Sequence, residues 1–222
     1  MHSYILPLQQ QFIQHQNPER AIGAKAYMRN QFEFYGMEAK QWRLLVKTHI
    51  KTQPLPTPTE LPKIVKQLWQ LPQREYQYAA VEIMAACQKQ WTPAIIVLIE
   101  YCLVHKSWWD SVDQIASLIT GRYFQLFPQQ IAPVTGGWNQ HRNIWLQRSS
   151  IMFQKLYKKD TDAQLLASYI THLSHSKEFF VQKAIGWALR EYAKTNPAWV
   201  KRFVADTPLP ALSQREALKR LN

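Results

Sequence analysis

The chain has 222 residues, 46% of them hydrophobic and 13% aromatic, which argues against disorder and allows a sizeable core in one compact domain or one continuous repeat array. Lys and Arg number 27 against 15 Asp and Glu, a formal charge of +12. No segment has the apolar length to span a bilayer, so the excess charge favours a polyanionic partner, with nucleic acid ahead of a membrane surface.

Met1 to Leu8 lacks the apolar region of a signal peptide. Asn17-Pro18 pairs a cap with a proline at the first helical position, and the helix after it is expected to run to Gly36 as a stop. A second helix is predicted from Ala39 to Lys51. Pro54, Pro56, Pro58 and Pro62 then mark a linker, after which Thr57-x-x-Glu60 reads as a capping box restarting a helix that Pro72 closes. Arg74 to Lys89 and Pro93 to Val104 are the next helices. Cys87 and Cys102 lie in them as small apolar residues, with no C-x-x-C and no disulfide framework implied, which fits a reducing cytoplasm.

Ser107-Trp108-Trp109-Asp110-Ser111-Val112-Asp113 follows. Ser107, three residues before Asp110, reads as the N-cap of a helix beginning at Trp108. Val112, Ile115, Ala116 and Ile119 form its buried stripe, which puts Trp108 in the core and sets Trp109 and Asp113 together on a strip beside it. Asp110 is accounted for as a capping acid, whereas Asp113 lies beyond the first turn.

Pro128, Pro133 and Gly136-Gly137 are expected to mark turns. Helices are predicted for Asn143 to Lys158, Asp162 to Leu173, Lys177 to Thr195, Ala198 to Ala205 and Gln214 to Leu221, the last started by a Ser213/Glu216 capping box. No period-two run is present, so no strand is predicted.

One period organises these helices. Gln77-Tyr78, Gln147-Arg148 and Gln182-Lys183 recur with Gln147 and Gln182 35 residues apart, and the same step places Arg43, Tyr78, Asp113, Arg148 and Lys183 in one register. That length suits two-helix units of the HEAT or TPR sort, an all-α solenoid whose equivalent positions line one concave face. Arg43, Arg148 and Lys183 would offer charge and donors to phosphates, and Tyr78 a hydroxyl; each is equally a solvated or ion-paired residue of a repeat surface.

Asp113 has two readings on such a face. One is an ion pair to Arg148 of the neighbouring repeat. The other is a carboxylate that stabilises a cation developing during reaction. DNA supplies such a cation, because cleavage between an alkylated purine and deoxyribose creates oxocarbenium character on the sugar. A base such as 3-methyladenine or 7-methylguanine already carries positive charge and departs neutral without an acid, so one carboxylate suffices, unlike the pair used by sugar hydrolases. Trp109 and Trp187 could favour a cationic lesion by cation–π contact worth roughly 0.5–2 kcal/mol each, or simply pack within the repeats.

The segments Lys106 to Asp113, Asn143 to Arg148 and Ser176 to Lys194, with Ala26 to Asn30 and Phe34-Tyr35-Gly36 before them, resemble the AlkD-type DNA alkylation repair glycosylases. The likeness extends to Arg215-Glu216-Ala217, nearly the whole chain. It implies a superhelix of HEAT-like repeats over residues 1–222 that grips duplex DNA in a basic concave face and hydrolyses the N-glycosidic bond of cationic alkylpurines. Residue by residue, it makes Asp113 the catalytic carboxylate that also places the attacking water. Trp109 and Trp187 would contact the backbone and sugar of the lesion nucleotide, and Arg148 would hold the DNA near it. Tyr27 would contact the backbone, with Arg190 joining Arg43, Tyr78 and Lys183 as DNA contacts. The family is reported to act without extruding the base.

His172-x-x-His175 has no third ligand, and no glycine-rich phosphate loop occurs among the six glycines, so neither metal nor cofactor is expected. The expectation is a monomeric cytoplasmic enzyme of base excision repair. The alternative is a non-catalytic HEAT-type module that binds nucleic acid or an acidic protein.

Overall fold

The computed structural model describes residues 1–221. It is all-helical: among the described residues there is no strand, only an isolated parallel bridge between Glu33 and Gln73. The chain divides into two compact units, Met1–Leu98 and Ile99–Asn222.

The first unit contains α1 (Leu6–Gln14), α2 (Pro18–Tyr27), α3 (Ala39–Thr52), α4 (Leu61–Gln70) and α5 (Glu75–Ala86), with α3 packed between α1 and α5 and α4 against α5. Next comes α6 (Ile96–Val104), whose residues fall on both sides of the division. The second unit holds α7 (Trp109–Gln114), α8 (Gly121–Leu126), α9 (Ile131–Gln140), α10 (Ile144–Met152), α11 (Ala163–Leu173), α12 (Phe179–Tyr192), α13 (Pro197–Asp206) and α14 (Ala211–Leu218). In it α10 packs on α7 and α12, and α12 on α14. A second row comprises α9 and α11 against α10, and α13 against α12 and α14. This pairing of helices in two rows is that of HEAT-like repeats.

The repeated glutamine now has a physical role. Gln77, Gln147 and Gln182 donate through Nε2 to the carbonyls of Leu71, His141 and Ser176, at 3.1, 2.8 and 2.9 Å, each six residues earlier. Each thus supplies a donor to carbonyls at or just beyond the end of the preceding helix, which have no partner within that helix. The period therefore marks a structural joint as well as a face.

Capping explains some boundaries. Asn17, Asn143, Asp162 and Asn196 accept backbone N–H groups from the first turns of α2, α10, α11 and α13. Thr57 and Glu60 form the expected reciprocal box, the Thr57 amide donating to Glu60 Oε2 at 3.0 Å and the Glu60 amide to Thr57 Oγ1 at 3.3 Å.

Other expectations are corrected. The helix α1 was not anticipated: Ile5 precedes it without a side-chain cap, and Pro7 in its first turn is the start signal that was overlooked. The helix after Pro18 stops at Tyr27, nine residues before Gly36, where Arg29 and Asn30 take positive φ values of 54° and 58°. Gly36 instead forms a turn at φ 81°, where a Cβ would lie 2.2 Å from the Asn17 carbonyl oxygen, so no other residue fits. That turn is clasped by the buried Glu75, which accepts the amides of Tyr35, Gly36 and Met37. Burial still pushes the Glu75 carboxyl above its ordinary range, although those amides pull it the other way.

Pro133 and Gly136-Gly137 lie inside α9 and mark no turn. Pro133 falls in the first helical turn, where a missing N–H costs no hydrogen bond. Ser107 does not cap: its hydroxyl donates to the Leu103 carbonyl at 2.6 Å, and Trp108 precedes α7 with no side-chain cap. Ser213 and Glu216 lie within α14 and form no box at its start; the Ser213 hydroxyl donates to the Gln182 carbonyl on α12. Cys87 and Cys102 are buried free thiols.

Candidate active site

Val112, Ile115, Ala116 and Ile119 are all fully buried, as the helical period requires. They fix the rotation of the helix that starts at Trp109, which continues through a π-helical stretch, Ile115–Thr120, into α8. Asp113 and Trp109 therefore stand together beside the core stripe, both half-buried. The first π-helical residues follow Asp113 within one turn, a local widening often found where a helix serves a function.

Asp113 meets Arg148 across the α7–α10 contact. Arg148 Nε donates to Asp113 Oδ1 at 2.6 Å and Nη2 to Oδ2 at 2.8 Å, while Nη1 donates to the Phe180 carbonyl. The Arg148 side chain is 1% exposed and that of Asp113 15%. The guanidinium is thus sealed in and its planar fork fixes the carboxylate plane. Each carboxylate oxygen keeps further lone-pair capacity for a group arriving from solvent.

The Arg148 guanidinium also lies over the Trp187 indole of α12, 5.2 Å from the ring centroid. Lys183, Arg190 and Lys155 approach the same ring at 5.6, 5.9 and 6.0 Å. Its Nε1 donates to Glu216 Oε2 at 3.1 Å. An indole faced by four cations and hydrogen-bonded at its edge is held in place, and its quadrupole is already engaged by protein charges.

Glu216 is the residue that sequence reasoning missed, having been assigned to capping. It is buried and accepts Lys183 Nζ at 2.8 Å, Arg190 Nη1 at 2.8 Å and the Trp187 N–H. The Lys183 hydrogen bond is the largest influence holding its carboxyl below the ordinary glutamate range. A signal was present: Glu216 follows Lys183 by 33 residues, close to the repeat step that joins Asp113 to Arg148.

Trp108 packs beside this group, against Phe180 at 5.1 Å and Trp145 at 5.9 Å between ring centroids. It is half-buried, with its indole nitrogen sealed from solvent and its ring packed in this aromatic cluster at the helix start.

Arg43, Tyr78 and Tyr27 belong to the first unit. There Trp42, one residue before the register position held by Arg43, stacks on Tyr78 at 5.2 Å and 28°, and the exposed Arg43 guanidinium lies over Trp42 at 5.1 Å. Tyr27, at the end of α2, is 71% exposed. Among the described residues no three His, Cys, Asp or Glu side chains form a group that could hold a metal ion, and no helix is long and apolar enough to cross a membrane.

The fold and this site define a helical-repeat protein in which an arginine-held carboxylate and clustered indoles are gathered by successive repeats. A family model described as DNA alkylation repair enzyme matches residues 8–221, and the chain belongs to that family, whose substrate is DNA. A solved structure described as a predicted DNA alkylation repair enzyme from Enterococcus faecalis is 33% identical, with 93% of this chain and 97% of that chain covered at a TM-score of 0.85. The protein smu.31 from Streptococcus mutans UA159 shares the fold at 16% identity and a TM-score of 0.62, over 82% of this chain and 92% of its own. Among curated proteins none matches significantly.

Proposed function

We propose that the protein is a monofunctional DNA glycosylase that hydrolyses the N-glycosidic bond of positively charged alkylpurines such as 3-methyladenine and 7-methylguanine in duplex DNA. The observation that carries this reading is Asp113, a half-buried carboxylate set in plane by Arg148, with Trp109 one turn before it and Trp187 stacked under the same guanidinium.

As the bond between C1′ and the purine nitrogen stretches, its electrons go to the base, which loses its positive charge and leaves neutral. The sugar gains the charge. Asp113 stabilises that oxocarbenium character and accepts a hydrogen bond from the water that attacks C1′. The water's proton passes to solvent. Arg148 is buried, so its part is to orient Asp113 more than to touch a phosphate. Tyr27, Arg43 and Tyr78 from the first unit, and Lys183 and Arg190 from the second, supply backbone contacts, the last two while paired with Glu216. The protein acts on this reading as a monomer, one functional domain over 1–222, without a cofactor.

The same ion pair in a HEAT-type binding module would merely join two repeats. Incubation of the purified protein with methylated duplex DNA, followed by chromatography of the soluble products, separates the two. Free alkylpurine is expected; DNA binding without released base would assign the protein to the binding class.

A further inference from the structure

Glu216 has no capping duty to explain it, since it lies in the last turns of α14, well past the helix start. What brings it to the site is a close helix contact. Gly186 of α12 faces it, and a Cβ at that position would stand 2.5 Å from Glu216 Cβ and 2.9 Å from the Ser213 carbonyl oxygen. The bond from Ser213 to the Gln182 carbonyl fastens the same interface. Only with glycine at 186 does the Glu216 carboxylate lie near enough to α12 to take three donors spaced along it, from Lys183, Trp187 and Arg190.

Four cations approach the Trp187 ring, and one of them, Arg148, holds Asp113. Two of the others, Lys183 and Arg190, are bonded to Glu216 and about a quarter exposed, at 23% and 25%. Were Glu216 neutral, their charge would stand uncompensated next to the indole and the Asp113–Arg148 pair. A sugar becoming cationic there would meet a net repulsive field, and the indole edge would lose an ionic acceptor.

We infer that Glu216 is a positioning residue for base release, one that fixes Trp187 and offsets the surplus positive charge behind it so that the field at Asp113 favours a cationic sugar. This rests on the glycosylase reading above. It also makes a demand that plain structural support does not. Removing a carboxylate raises the positive charge facing DNA, so binding is maintained or tightened while the chemical step slows.

The test compares the wild-type protein with Glu216→Gln, which keeps the side-chain volume, on one methylated duplex. Single-turnover base release, DNA affinity by fluorescence anisotropy and the urea midpoint are measured for each. A release rate lowered about 10- to 100-fold at saturating protein, with affinity equal to or tighter than wild type, is the expected result. A wild-type rate in Glu216→Gln, or a rate and an affinity that fall together with the folded fraction, overturns the positioning role. Absence of release by the folded wild-type protein overturns the glycosylase reading and this inference with it, and is distinguished from failure of the inference by the wild-type arm, which in that case is itself silent.

Discussion

Both carboxylate oxygens of Asp113 are held by one guanidinium, Arg148 Nε and Nη2 at 2.6 and 2.8 Å, and that guanidinium is the more deeply buried partner. The asymmetry has a consequence for stability. Truncating the acid strands a buried charge. Asp113→Ala is expected to destabilise the fold by about 3–5 kcal/mol, the usual cost of breaking a buried pair from one side, measured by urea denaturation. Asp113→Asn keeps one acceptor oxygen for Arg148 and should cost clearly less, and equal losses in the two variants would refute the pairing described.

The α12–α14 contact predicts a second effect. Gly186→Ala places a methyl group 2.5 Å from Glu216 Cβ, with the Ser213 carbonyl oxygen at 2.9 Å, so the helices must move apart. Overpacking of this sort costs about 1–3 kcal/mol. The displacement should also loosen the three bonds to Glu216, so base release by Gly186→Ala should fall even at temperatures where the protein is fully folded. Circular dichroism melts and single-turnover assays check the two parts.

Glu216 and Glu75 respond to pH in opposite senses. Lys183, Trp187 and Arg190 hold the Glu216 carboxyl below its ordinary range in the folded protein. Its contribution to stability is therefore complete above the unfolded-state pKa and lost as pH falls through the lower folded value. Burial raises the Glu75 carboxyl, so its protonated form is favoured by folding, and its contribution is complete at low pH and lost as pH rises through the folded value. The stability difference between wild type and Glu216→Gln should consequently shrink as pH is lowered from about 5 to 3. For Glu75→Gln the wild type should lose ground relative to the variant as pH rises through and above that range. Denaturant midpoints over this window decide both.

Much of the arrangement was legible in the residues. Helical spacing of Val112, Ile115, Ala116 and Ile119 fixed the rotation of Asp113, and the 35-residue step from Asp113 to Arg148 anticipated their pairing. What failed was local punctuation. Ser107 and Ser213 look like caps, yet each hydroxyl finds a better-placed carbonyl, at Leu103 and Gln182. Pro133 and Gly136-Gly137 look like turn residues, yet a proline in a first turn and glycines within packed helices are tolerated. Gly36 looked like a helix stop, but its φ of 81° serves a turn whose partner, Glu75, is remote in sequence. Glu216 was hidden for the same reason: a serine-x-x-glutamate pattern has a local explanation, and only the approach of α14 to α12 reveals its three partners.

On the glycosylase reading the Asp113 carboxylate performs the chemistry and is not merely the partner of Arg148. Single-turnover release of alkylated base by Asp113→Asn, set beside its affinity for the same DNA, separates these two roles. A release rate reduced by about a hundredfold or more with DNA affinity within a few-fold of wild type is predicted. A folded Asp113→Asn protein that frees base at the wild-type rate would contradict it.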